Sequence, residues 1–433
     1  MTGPSAHSVG GPVTLWTSRS NQRFRSCTLG TSRTGRQVRA GSVPLPRKPS
    51  GQQAPAVLEV FDYAVAIPGW GYFSTRRRLN MSSGTVTTEQ FADRLMASAL
   101  GAMDMLAIHL GDRLGWYRTL AEHGPVDAAE LTEHAGGDTR YAREWLEQQA
   151  AAGILTVTPE HRFELPPSAA EVLTDPTSLS FLAPLARVLA AAAAKTPKLV
   201  HAYRNGGGVG WAEFGADMRE AQSDMNRPWF EQRLAAELGT VDDIDDLLSR
   251  PGTRVADIGF GGGWSSIALA RAYPSLVVDG FDIDEPSVAM AKRNATDAGL
   301  SERVRLHHAD AATALGENLY DVVFAFECIH DLPRPVEVLA AMRRAVRPGG
   351  AVIVMDEAVA PDFRAPADDT DRFLYGISLL ICLPDGRAHP DSAGTGTVMR
   401  QDTLRRYAQD AGFSDVEVLP IDDFGFWRFY RLT

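Results

Sequence analysis

A chain of 433 residues is too long for one ordinary core and predicts two domains with additional segments. Its 44% hydrophobic and 22% charged residues argue against a disordered or membrane-embedded chain. The net charge of −11 conceals an asymmetry, because residues 1–80 hold eleven Lys/Arg against two acids and the rest carries 32 basic against 52 acidic residues. A body of that sign repels nucleic acid unless it presents a local basic face.

The most apolar run, Leu182 to Ala194, is interrupted by Pro184 and Arg187 and falls short of the roughly 20 residues a membrane helix needs, so it reads as a buried helix. Cys27, Cys328 and Cys382 form no CxxC pair. Neither a disulfide framework nor a zinc site is suggested, and a reducing cytoplasm fits.

Residues 1–80 are rich in Ser, Gly, Pro and Arg and show no sustained apolar period. No fold is expected there: the segment reads as a disordered extension or as the product of a start codon placed too early, with Met81 opening the folded region.

Residues 81–170 predict a run of helices and then two short strands. An amphipathic helix over Phe91–Leu110 precedes one near Gly115–Glu122, and Gly124-Pro125 ends the run. Asp127 and Glu130 have capping-box spacing, and Asp138-Thr139 starts the next helix. Strands at Ile154–Val157 and Arg162–Leu165 complete a winged helix-turn-helix order. The candidate recognition helix offsets Arg140 and Arg143 with Glu144 and Glu147. Nucleic acid is therefore not an expected partner. On the leading helix, Phe91, Leu95, Met96, Leu100, Met103 and Leu106 recur at three- and four-residue spacing, which predicts a homodimer face.

Residues 171–245 read as a helical linker and substrate lid. A glycine-rich stretch, Arg204 to Trp211, supplies a hinge, and Trp211 and Trp229 are candidate substrate contacts.

From residue 246 strands alternate with helices, the pattern of a parallel sheet with crossover helices in an α/β domain. The strand Arg254–Ile258 runs into Gly259-Phe-Gly-Gly-Gly-Trp264 and then a helix, which sets a glycine turn where ligands bind in doubly wound sheets. The spacing GxGxG puts Trp264 where a dinucleotide fingerprint has its third glycine, and Asp257 would oppose a pyrophosphate. Both features favour S-adenosylmethionine over a nicotinamide cofactor. Asp282 ends the second strand, where it can accept from both ribose hydroxyls; Ile283 can pack on adenine, and Asp310 can accept from the adenine amino group.

With a fourth strand at Asp321–Phe326 and a fifth at Ala351–Met355, the order over roughly residues 250–433 resembles the class I S-adenosylmethionine-dependent methyltransferases. That resemblance implies a Rossmann-like seven-stranded sheet closed by strands at Val416–Pro420 and Trp427–Leu432. It also implies cofactor contacts from Asp257, Gly259, Gly261, Gly263, Asp282, Ile283, Asp310 and Ala311. A closer resemblance, over Met81 to Thr433, is to bacterial winged-helix methyltransferases often labelled transcriptional regulators, which keeps a cofactor-binding regulator as the alternative. More distantly the chain is similar to plant O-methyltransferases, whose catalytic base belongs to a His-Asp pair after the fourth strand, here His330-Asp331. Of the two acids flanking that base, the first is matched by Asp356; Gly394 to Arg400 holds no counterpart of the second.

The implied reaction is methylation of a small, partly apolar or aromatic metabolite, most simply at a hydroxyl. No histidine has metal-ligand spacing, so no metal is expected. Residues 361–400, with Tyr375 as a candidate contact, read as a further wall of the substrate pocket.

Overall fold

This computed structural model describes residues 86–433 and, within the first eighty, an antiparallel strand pair, β1 (Val65–Ile67) and β2 (Trp70–Phe73). The sequence reading assigns no element to that pair, and the rest of the segment for which no fold is expected lies outside the described residues. The chain divides into two compact units, Met1–Asn80 and Met81–Thr433.

The second unit begins with α1 (Thr88–Arg113), capped by Thr87 and Gln90 in a reciprocal capping box. Helices α2 (Trp116–His123), α3 (Ala128–Ala135) and α4 (Thr139–Ala151) follow. The Asp127 carboxylate accepts from the Ala129 and Glu130 amides at 2.8 and 3.0 Å, and Glu130 accepts from the Asp127 amide at 2.8 Å. These bonds satisfy amides that a helix start otherwise leaves unpaired. The wing is shorter than its sequence pattern: β3 (Thr156–Val157) pairs with β4 (Phe163–Glu164) alone. Trp116, Tyr117, Leu131, Trp145 and Leu146 form the buried core of this region.

Helices α5 (Pro167–Thr174), α6 (Ala183–Ala193) and α7 (Thr196–Asn205) lead to the short α8 (Trp211–Phe214) and to α9 (Ala216–Trp229). The apolar run around residue 188 is indeed a buried helix, α6, and no helix among the described residues is long and apolar enough to cross a membrane. Pro228 lies inside α9, and a π-helical turn, Phe230–Leu234, follows it. A proline lacks the N–H that would close the preceding turn, and the widened turn takes up the misfit. Two further helices, α10 (Ala235–Leu238) and α11 (Asp242–Ser249), reach the sheet.

The sheet has seven strands: β5 (Arg254–Ile258), β6 (Val277–Asp282), β7 (Val304–His308), β8 (Tyr320–Phe326), β9 (Val346–Glu357), β10 (Val416–Val418) and β11 (Trp427–Leu432). Their spatial order is β10-β11-β9-β8-β5-β6-β7, with β11 antiparallel to both neighbours. Between β5 and β8 the chain departs in opposite directions, so a crevice opens at their carboxyl ends. Helices α12 (Trp264–Ala272), α13 (Glu285–Asp297), α14 (Ala311–Ala314) and α15 (Pro335–Ala345) make the crossovers. After β9 come α16 (Asp369–Ile377), a second π-helical turn at Ser378–Cys382, α17 (Leu383–Gly386) and α18 (Gln401–Asp410).

The glycine stretch expected to act as a hinge is docked against the segment around Pro384. The Val209 amide donates to the Pro384 carbonyl at 2.9 Å, and a Cβ on Gly208 would sit 1.9 Å from that same oxygen and 2.4 Å from the Ala388 nitrogen. Backbone, not a flexible side chain, fills the space. Gly208→Ala is expected to cost about 1–3 kcal/mol of stability, the usual range for overpacking. A thermal melt should show a Tm several degrees lower, and an unchanged melt would mean that this loop yields freely.

Candidate active site

Each parallel strand of the central sheet delivers an acid at or just beyond its carboxyl end. Asp257 at the end of β5 is fully buried; its Oδ2 accepts from the Ser265 and Ser266 hydroxyls at 2.7 and 2.6 Å, and its Oδ1 has no partner. Burial pushes its pKa up to about 6 against those two bonds. The turn that follows places Gly259, Gly261 and Gly263 at φ of 66°, 52° and 77°, left-handed conformations that favour glycine. Asp282 at the end of β6 accepts from the Gly261 amide and the Asp284 amide, each at 2.9 Å, and burial raises its pKa. Ile283 beside it is 57% exposed, free to pack on a ligand.

Two adjoining cavities open here. The larger, of about 400 Å³, runs from the glycine turn and Asp282 past His330 to Trp211 and Phe373. The smaller, of about 250 Å³, is lined by Phe281, Ile283, Asp310 and Ala311. Asp310 caps α14 through the Ala312 amide at 2.9 Å. The pair of cavities fits a cofactor with an adenosine at one end and a charged amino acid at the other. The small cavity offers an apolar floor and a carboxylate, Asp282 stands between, and the unpaired Oδ1 of Asp257 lies under the turn. Gly259, Gly261, Asp282, Ile283, Asp310 and Ala311 line these two cavities, whereas Asp257, fully buried, and Gly263 lie outside both linings.

Helix α9 seals that crevice with residues the sequence did not single out. Trp264 Nε1 donates to Ser223 Oγ at 3.0 Å, and the Arg227 guanidinium lies 4.0 Å from the Trp264 ring centroid. A Cβ on Gly262 would fall 2.0 Å from Ser223 Oγ, so the turn approaches α9 with no side chain between. Arg219 binds Asp284 with Nε and Nη2 at 2.6 and 3.1 Å. Gln222 and Asn226 donate to the Glu327 carboxylate at 3.3 and 2.5 Å. Glu327 follows β8 in a left-handed conformation at φ 52°, and burial raises its pKa to about 7. Only the Phe-Glu-Cys-Ile-His run after β8 could have signalled it.

His330 is 2% exposed, with Nδ1 2.8 Å from Asp356 Oδ1 and 3.1 Å from Glu357 Oε2. Nε2 lies 3.3 Å from Asp331 Oδ1 without hydrogen-bond geometry. Glu357 at the end of β9 is a second acid beside His330, where residues 394–400 hold none. That segment instead meets His330 through its backbone, the Gly396 amide donating to the His330 carbonyl at 3.1 Å. Burial alone would lower the imidazole pKa, but Asp331, Asp356 and Glu357 together raise it well above the usual value. Burial would likewise raise Asp356, yet the adjacent imidazole holds its carboxyl low. His330, Asp356 and Glu357 also bring metal-ligating atoms within 4.8 Å of one another, a grouping no sequence spacing shows.

Trp211 lines the larger cavity, whereas Trp229 and Tyr375 lie outside its lining. Phe373, Ile377 and Ile381 share one helical face on the cavity; Tyr375, two residues along, points away and accepts from Arg400 at 3.0 Å. Trp229 is off the Gln222, Asn226, Phe230 row and packs on Phe424 and Trp427 at ring separations of 5.7 and 5.8 Å.

A doubly wound sheet with a glycine turn and a carboxylate-lined crevice at its switch point defines a Rossmann-like cofactor-binding protein. Comparisons with known proteins narrow this. Residues 255–350 match a family described as a methyltransferase domain, and residues 102–175 a Rv2258c-like winged HTH domain. The ubiquinone biosynthesis O-methyltransferase of Burkholderia pseudomallei (strain 1710b) is 32% identical over 216 residues, 47% of this chain and 86% of the relative. The 27-O-demethylrifamycin SV methyltransferase of Amycolatopsis mediterranei (strain S699) is 30% identical over 174 residues, 38% of this chain; the match spans 64% of that relative's length. Among solved structures, the mitomycin 7-O-methyltransferase MmcR superposes with a TM-score of 0.60 at 22% identity, covering 81% of this chain and 99% of that one. Human N-acetylserotonin methyltransferase in complex with SAM gives 0.60 at 18% identity, covering 81% and 99%. The protein belongs to the class I S-adenosylmethionine-dependent methyltransferases and carries a winged-helix domain ahead of the catalytic fold. S-adenosylmethionine is its cofactor.

Proposed function

We propose that the protein methylates a hydroxyl of a small, partly apolar or aromatic acceptor, with His330 as general base. The observation that carries this reading is the buried imidazole at the cavity, its Nδ1 bonded to Asp356 at 2.8 Å. The cofactor supplies a methyl group already activated on a sulfonium. What remains for the chain is alignment, exclusion of water and removal of one proton. Asp282 holds the ribose, the glycine turn admits the cofactor backbone, and Glu327 faces the cofactor's ammonium. Phe373, Ile377 and Trp211 shelter the acceptor. Asp356 fixes the tautomer and leaves Nε2 to take the hydroxyl proton. No step calls for a metal, and turnover is expected to survive EDTA. A regulatory reading is weaker, because Arg140 on the candidate recognition helix is paired with Glu144. A reducing, cytoplasmic setting suits the free Cys328 and Cys382.

Asp282→Ala is expected to weaken S-adenosylhomocysteine binding at least tenfold, since each charge-assisted bond is worth about 1.5–3 kcal/mol. Calorimetry giving an unchanged affinity would remove Asp282 from the site. His330→Ala should leave that affinity intact and lower kcat at least a hundredfold, less for acceptors whose hydroxyl is already ionised. Near wild-type turnover of a poorly acidic acceptor would show that positioning alone suffices.

Because a base must be neutral and neighbouring acids raise the His330 pKa, kcat/KM should climb with pH through a midpoint above the ordinary histidine range. Asp331→Asn removes one of those acids and should move the climb to lower pH. A profile that stayed in place would mean another group titrates.

We also propose a homodimer through α1. Phe91, Leu95, Leu100, Met103 and Leu106 are 60, 65, 53, 63 and 48% exposed, an apolar stripe left uncovered among the described residues. Light scattering should return twice the chain mass at micromolar concentration, and a monomer would end the proposal.

A further inference from the structure

The larger cavity is lined by six carboxylates, and its cations do not balance them. Arg219 is committed to Asp284 through two nitrogens, and His330 is shared among Asp331, Asp356 and Glu357. His389 is the remaining basic residue of the lining. Glu327 is met by the neutral amides of Gln222 and Asn226. Glu357 is 3% exposed, lines the cavity, and has an Oε2 that accepts no hydrogen bond, its nearest donor being the Nδ1 that Asp356 already occupies. Oδ1 of Asp331 is likewise buried and unbonded.

The excess of negative charge continues away from the glycine turn. Cys382 Sγ lies within 4.8 Å of the His330 and Asp331 donor atoms, and Asp385 follows three residues later on the same helical face. A Cβ on Gly386 would be 3.3 Å from the Asp331 carbonyl, so the two segments touch. Asp385 accepts from the Trp211 amide at 2.6 Å, and Trp211 belongs to the cavity wall. Burial, and after it the nearby Asp331, pushes the Asp385 pKa up to about 7. Ionising it is costly without a cation beside it.

We propose that the acceptor carries a protonated amino group in addition to its hydroxyl, and that Asp331 and Asp385 bind this ammonium against Trp211. The inference rests on the proposed methylation of a hydroxyl at His330 and names the class of acceptor: an aromatic hydroxyl compound with an aminoalkyl arm. An ammonium offers three donors to the two carboxylates, and an aromatic face adds cation–π attraction. Held there it keeps its proton and has no lone pair for the methyl group, which goes to the oxygen. The positive charge of the cofactor does not substitute for it, since that charge is present with every acceptor and confers no preference among them.

The test compares hydroxyphenyl alkylamines with one- to three-carbon arms, tyramine among them, with alkylphenols in which a methyl replaces the ammonium. Wild-type kcat/KM is expected to favour the best amine over its carbon isostere at least tenfold. Asp385→Asn should reduce that ratio at least fivefold while S-adenosylhomocysteine affinity and the circular dichroism spectrum stay unchanged. Calorimetry on the S-adenosylhomocysteine complex should show the same preference without turnover. Equal kcat/KM and equal affinity for amines and isosteres would overturn the inference and leave hydroxyl methylation standing. Methyl found on nitrogen by fragment masses would also overturn it. Amine binding that is sensitive to Asp385→Asn, with no acceptor methylated on oxygen or nitrogen, would support the subsite and refute the hydroxyl reading instead.

Discussion

Charge balance at the carboxyl edge of the sheet governs this protein. Strand after strand ends in an acid: Asp257, Asp282, Glu327, Asp356 and Glu357 all sit where the backbone leaves β5, β6, β8 or β9. Carboxylates removed from water are unfavourable unless bonded or paired. Inside the chain the opposing charge at the cavity is small, chiefly His330, because Arg219 already holds Asp284. Burial accordingly drives Asp257, Asp282 and Glu327 upward in pKa. A cofactor with a sulfonium and an ammonium offsets only part of what the protein leaves unbalanced, since it brings a carboxylate of its own.

That edge works only because a helix closes over it. Helix α9 comes from the all-helical region, outside the sheet, yet Ser223 reaches the glycine turn, Arg219 the loop after β6 and Asn226 the residue after β8. Three separate strand ends are therefore tied to one rigid element. Its far end widens into a π turn after Pro228, and the second cavity-lining helix has a π turn at Ser378–Cys382. Each turn delivers cavity-lining side chains, Phe230 on one side and Ile381 and Cys382 on the other. Such turns recur at functional sites, where an extra residue re-aims a face.

His330 shows how the same edge can be put to chemical use. A lone buried imidazole would be neutral; among Asp331, Asp356 and Glu357 it is held toward the charged form. The proton that it would take from an acceptor is thereby stabilised on the ring, and the arrival of a cation nearby opposes that charge. On the proposed reading of His330 as the base, its strength would depend on what else is bound and would link acceptor deprotonation to the presence of the cofactor.

Local spacing in the sequence determined a good deal. The alternation of apolar runs, the GxGxG turn and the acids after each strand specify the parallel sheet and its crevice, because side-chain period and glycine backbone freedom are properties of short segments. The capping box at Asp127 and Glu130 is of the same kind, whereas the placing of Asp356 beside His330 was implied by the resemblance to plant O-methyltransferases. The register of helices against the sheet was decided only in three dimensions. Nothing near Arg219, Gln222, Ser223 or Asn226 marks them as crevice residues; they become so because α9 crosses the glycine turn. Glu357 beside His330 depends on how β9 ends, and Asp385 beside Asp331 on the contact of α17 with the turn after β8. Tyr375 and Trp229 were plausible by composition and were turned away by helical phase, a rotation of about 100° per residue that only packing anchors.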